Sequence, residues 1–145
     1  MSETLVFVLS IVGVFVAFPL LWSAIVWLIS RFGWAGLAAA YPADEWPEGE
    51  GVRLHMQSLT VGHLGNYSSS VTVVATVDGL YLRPILVFRM GHDPVFVPWS
   101  AMEVEAERLF GRLKVALGSG HSLSLFGKTA RYTREVLTAR RREGI

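Results

Sequence analysis

The chain has 145 residues, no cysteine, 52% apolar residues and a formal net charge of +1. That length suits one domain plus a membrane segment, and the apolar share exceeds the ~45–50% usual for soluble chains. The missing cysteines exclude disulfides, thiol nucleophiles and thiolate metal sites, while the small net charge, with no aromatic platform among the basic residues, argues against a nucleic-acid partner.

Residues 5–29, bounded by Leu5 and Ile29, contain no charged side chain, and their only hydroxyls are Ser10 and Ser23. Such a run reads as one transmembrane helix within an anchor spanning 1–32. Its 25 residues, at a rise of ~1.5 Å each, exceed the ~30 Å hydrocarbon core, so tilt or a bend at Pro19 is expected. Trp22, Trp27, Trp34 and Tyr41 cluster at its C-terminal end as a collar for the headgroup layer, and Arg31 is within reach of phosphates. A cleaved signal peptide is the competing reading, with small residues at Ala38, Ala39 and Ala40. Against it stand Glu3 where a basic n-region belongs, and an apolar run beyond the ~7–15 residues of an h-region. Arg31 is the only Lys or Arg near either end of the run, which predicts a cytoplasmic C-terminal domain in an inner membrane.

Residues 33–50 read as a juxtamembrane linker that starts as a helix along the interface, turns acidic with Asp44, Glu45, Glu48 and Glu50, and is broken by Pro42, Pro47 and Gly49. The remaining 51–145 is mildly basic, with twelve Lys/Arg against seven Asp/Glu from Val52 onward. Val52, Leu54 and Met56 alternate with polar residues as in a half-buried strand. Val71 to Val77 is rich in β-branched residues, Asp78-Gly79 marks a hairpin turn, and Leu80 to Phe88 returns as a strand interrupted by Pro84. Further strands are expected over 95–99, 102–107, 109–117 and 122–126, with turns at 91–94 and 118–120, giving about seven in all. The period then changes: Phe126, Ala130, Thr133 and Leu137 fall on one side of a helix, and Lys128, Arg131, Arg134 and Arg142 on the other.

The run Val77-Asp78-Gly79-Leu80-Tyr81-Leu82 followed by Val97-Pro98-Trp99-Ser100-Ala101-Met102 resembles pleckstrin-homology-like domains of the bacterial and GRAM type. With Tyr41-Pro42 and Asn66-Tyr67 added, nearly the whole chain is similar to uncharacterised bacterial single-span membrane proteins bearing such a domain. The resemblance implies a mainly β fold, a seven-stranded antiparallel barrel or sandwich capped by a C-terminal amphipathic helix, with lipids or short peptides as ligands in many members. The loop from Gly62 to Ser70 holds no Lys or Arg, so the basic first hairpin of phosphoinositide binders is absent.

The strongest candidate contact is the basic face formed by Lys128, Arg131, Arg134, Arg140, Arg141 and Arg142, which near a bilayer attracts anionic lipid at roughly 1 kcal/mol per charge; a solvated outer helix face is the plainer reading. His55, His63, His92 and His121 lie in separate segments without ligand spacing, so no metal is expected. His92-Asp93 before Pro94 reads as turn chemistry, and Gly118-Ser119-Gly120-His121-Ser122 lacks the final glycine of a nucleophile elbow. Most of Trp99, Phe96, Phe110 and Tyr81 are assigned to packing rather than to a ligand groove. No catalytic residue, cofactor or small-molecule substrate is predicted. The expected partners are the bilayer and, through the domain, anionic lipids or a membrane protein. A non-enzymatic interaction module leads; an accessory subunit contacting a complex through Ser10, Gly13, Ala17 and Ser23 of the span is the alternative.

Overall fold

A computed structural model describes residues 2–108 and 111–144; Leu109 and Phe110, expected within a strand, lie outside them. The apolar run forms one unbroken helix, α1 (Glu3–Ser30), which continues through Pro19 and is capped by the Ser2 hydroxyl accepting from the Leu5 N–H. Its 28 residues make it long and apolar enough to cross a membrane. A tight turn leads to α2 (Trp34–Ala40), a separate short helix.

Seven strands follow: β1 (Val52–Val61), β2 (Gly65–Ala75), β3 (Gly79–Pro84), β4 (Val95–Pro98), β5 (Met102–Arg108), β6 (Arg112–Leu117) and β7 (Ser122–Leu125), then α3 (Gly127–Arg142). They form one antiparallel sheet in the order β4-β3-β2-β1-β7-β6-β5, curled into a half-barrel. The expected strand count is met, but the barrel or sandwich is a single open sheet. β4 has only four residues, and it forms one edge while β5 forms the other. Helices complete the core: Trp34, Leu37 and Ala38 of α2 and Ala130 of α3 are buried with Leu59, Val73, Leu82, Val97, Val115 and Leu123 of the sheet. Alternation sets which strand residues go inside, as in β6, where Leu113, Val115 and Leu117 are buried and Arg112, Lys114 and Ala116 are half-exposed.

Two of the departures from the expected strands have clear local causes. In β1 the register against β2 shifts between Leu54 and Gln57, where Met56 takes a positive φ of 54°. This bulge reverses the side-chain phase, so Met56 is exposed while Leu59 and Val61 enter the core. The strand expected over 80–88 ends at Pro84, whose ring removes a ladder donor. Leu86–Phe88 instead forms one 3-10 turn.

Asp78-Gly79 turns the chain as expected, and the structure gives the glycine a second reason. A Cβ at Gly79 would meet the Val97 carbonyl oxygen and stand 2.7 Å from the Pro98 Cα, both backbone atoms of the paired strand. Gly79→Ala is therefore expected to destabilise the domain by about 3 kcal/mol, the upper end for overpacking, read as a lowered thermal midpoint of the purified full chain.

Candidate membrane interface

The C-terminal third of α1 is held by the connection between β3 and β4, residues 85–94. The Trp22 indole N–H donates to the Val87 carbonyl at 2.7 Å, and its ring lies 5.5 Å from that of Phe88. Val26 and Ser30 are the buried residues of α1. Gly91, with φ of 72°, packs so closely that a Cβ there would stand 2.7 Å from Ser30 Oγ and 2.8 Å from Trp27 Cδ1. Gly91→Val adds both a strained backbone and this clash. It should pry the loop from α1, seen as faster amide hydrogen exchange over 85–93 while β6 and β7 keep their protection.

A buried polar cluster fixes the other side of this loop. His92 Nδ1 donates to the Met90 carbonyl at 2.9 Å, which leaves Nε2 to accept from the Tyr67 hydroxyl at 2.7 Å. Trp34 packs against both rings and donates from its indole N–H to the Asp93 carbonyl at 2.8 Å. Burial pushes the His92 pKa down, against smaller upward pulls from the Met90 carbonyl and the Asp93 carboxylate. Burial also pushes the Tyr67 hydroxyl upward. Both shifts favour the neutral pair, so the proton stays on tyrosine and the pair acts as a hydrogen-bonded lock. An activated nucleophile would need the opposite shift.

These contacts correct one expectation. Trp34, assigned to the headgroup collar, is fully buried in the sheet core, because the structure offers its N–H an acceptor and its ring two aromatic neighbours. Tyr41 is half-exposed and its hydroxyl accepts from the Ser119 N–H in the β6–β7 turn. Leu5, Ile29, Trp22 and Trp27 stay accessible, and the Arg31 guanidinium lies 4.3 Å from the centre of the Trp27 ring. Pro19 lines a groove between α1 and the loop. The segment read as a linker is packed against the sheet: Pro42 bridges to Val95, Tyr41 O accepts from Phe96 N, and Trp46 stacks edge-on to Tyr81 beneath the Arg83 guanidinium.

The basic residues occupy two places. α3 packs on β1, β6 and β5 and starts at the end of β7 opposite the turn that meets α2, where His121 approaches Gly36. Lys128 and Arg131 are exposed there. Arg134 pairs with Glu107 at 3.1 Å. The last turn of α3 returns towards α2's side of the sheet, since Arg140 and Arg141 share a groove with Ser100 and Met102, and Ala101 O accepts from Gly118 N in the β6–β7 turn. That groove also contains Glu103 and Glu107, which offset part of the basic charge.

Trp99 is core and donates to the Thr76 carbonyl, while Tyr81 and Phe96 stack 4.5 Å apart on the half-exposed outer face; Phe110 is outside the described residues. Ser119 Oγ lies 2.8 Å from His121 Nδ1, but the pair is local to an exposed turn, and its other ring nitrogen faces Gly36 rather than an orienting carboxylate. Among the described residues no three His, Asp or Glu side chains gather as metal ligands. The docking of residues 85–94 on α1 was not predicted from sequence; the run Leu86-Val87-Phe88 beyond a strand-ending Pro84 is the signal that could have exposed it. No protein-family model, curated protein or solved structure matches the chain.

Proposed function

We propose that this chain is a non-enzymatic, membrane-anchored module of the PH-like kind: α1 crosses a bacterial inner membrane, and the half-barrel on its cytoplasmic side contacts lipids or a membrane protein at that surface. The observation that carries this reading is the fixed seating of the sheet on the end of α1, through α2 in the core and residues 85–94 on the helix. A domain held this way keeps one face towards the bilayer, as a lipid or membrane-protein reader needs. Seven antiparallel strands followed by one packed helix agree with the element order that the PH-like resemblance implies. Arg31 on the domain side of α1 supports the orientation.

Arg140, Arg141 and Arg142, consecutive at the end of α3, are the candidate contact for anionic lipid. The test compares the full chain in nanodiscs of zwitterionic lipid with nanodiscs containing anionic lipid. Anionic lipid should raise the thermal midpoint at low salt, the gain should fade as salt rises, and replacing the three arginines by glutamine should remove it. Equal midpoints at low salt would rule out anionic lipid as the ligand and turn the search to a membrane protein.

A further inference from the structure

We propose that the β3–β4 connection is a second membrane contact, a loop that inserts Leu86, Val87 and Met90 into the same leaflet in which α1 ends. The proposal rests on the reading that α1 crosses a bilayer. Leu86, Val87 and Met90 are 74%, 55% and 52% exposed, three large apolar side chains within five residues and uncovered by the protein. They stand against α1 rather than on an open flank: a groove of about 570 Å³ between helix and loop is lined by Pro19, Trp22, Ser23, Leu86, Val87 and Met90, with Arg89, Gly91 and Asp93 completing it.

Depth along α1 decides what fills that groove. Trp22, bonded to Val87, lies eight residues before Ser30, about 12 Å up the helix axis. If Leu5 marks one edge of a hydrocarbon layer ~30 Å thick, the other edge falls about 20 residues later, near Ile25, one turn beyond the loop's contact. If Arg31 marks the edge instead, the loop lies more than ~10 Å inside it. Both limits put Leu86 and Val87 within the leaflet, where acyl chains occupy the groove. The polar groups suit a boundary: Trp22 N–H and Val87 C=O satisfy each other, the Arg89 Nε donates to the Pro84 carbonyl, and the exposed guanidiniums of Arg89 and Arg31 are free to meet phosphates. Seating by a helix and a loop together would fix the tilt and rotation of the half-barrel on the surface, which a single helix leaves free.

The cysteine-free sequence makes the test direct. Single variants Leu86→Cys, Met90→Cys, Val14→Cys in mid-span and Val77→Cys at the far end of the sheet, where the native residue is 90% exposed, are labelled with an environment-sensitive fluorophore. Each full chain is reconstituted in phosphatidylcholine vesicles, with or without acyl-chain nitroxide lipid. Labels at 86 and 90 should lose fluorescence to the nitroxide as the label at 14 does, emit further to the blue than the label at 77, and resist aqueous iodide. Quenching at 14 with none at 86 or 90 overturns the loop insertion and leaves the span intact. No lipid quenching at 14 overturns the span, and the insertion with it.

Discussion

A fragment that starts at Gly51, where the β-period begins, should fail to fold, whereas one that starts at Arg31 should keep a cooperative thermal transition. The cut at 51 removes Trp34 and Leu37, both fully buried, and opens the space they fill in the core of the half-barrel. Removing a buried Trp costs about 3–5 kcal/mol and a buried Leu about 2–5. Their sum rivals the 5–15 kcal/mol by which whole domains are stable. The cut also strips β4 of its pairing with residues 41–43, leaving the Phe96 N–H of this four-residue strand and the Pro94 carbonyl just before it without partners. Near-UV circular dichroism and thermal unfolding of the two purified fragments make the comparison. An equal midpoint for both would show that α2 only rests on the sheet.

The same residues show what pattern reading reaches and where it stops. The apolar run, the hairpin at Asp78-Gly79, seven strands and the closing helix follow from hydrophobic period and turn chemistry, which are local properties. Trp34 illustrates the limit. A tryptophan a few residues past an apolar helix has the amphipathic character of a headgroup anchor, and only the position of Tyr67, His92 and the Asp93 carbonyl, 33 to 59 residues away, sends it into the core. The bulge at Met56 is similar: no glycine announces the positive φ, so the alternation around it predicts the wrong phase. Leu86 to Phe88 has strand-like composition, but Pro84 ends the ladder and the helix end supplies a surface that no local rule contains. The basic stripe of α3 was readable as a stripe. Its division, with Lys128 and Arg131 just past the end of β7 and Arg140 and Arg141 in the groove with Ser100 and Met102, depends on where β7 ends and how α3 crosses the sheet.

Stability of the full chain should fall as pH drops from 7 towards 5, and His92→Phe should flatten that fall. In the folded protein, burial holds the His92 pKa below its ordinary value of 6.5. The unfolded chain regains the ordinary value and takes up a proton below about pH 6.5 that the native state refuses. Unfolding therefore binds a proton in this window, and the contribution is complete above about 6.5 and lost progressively as pH falls towards the depressed folded value. One proton sets the steepest slope at about 1.4 kcal/mol per pH unit. The phenylalanine variant leaves the Tyr67 hydroxyl and the Met90 carbonyl without their partner, so it should lose about 1–3 kcal/mol at pH 7.5. The difference in slope between the two proteins isolates this residue from His55, His63 and His121. Tyr67→Phe gives the complementary result: it removes the donor to Nε2 while keeping the ring, so the pH slope should persist on a lower baseline. Chemical unfolding in mild detergent at half-unit pH steps, followed by tryptophan fluorescence, reads both quantities. The first region to loosen on acidification should be residues 85–93, because His92 ties that loop to the sheet through Tyr67 and Met90. Parallel slopes for wild type and His92→Phe would mean that the imidazole can charge in place, and the lock between the sheet and residues 85–94 would then be insensitive to protons.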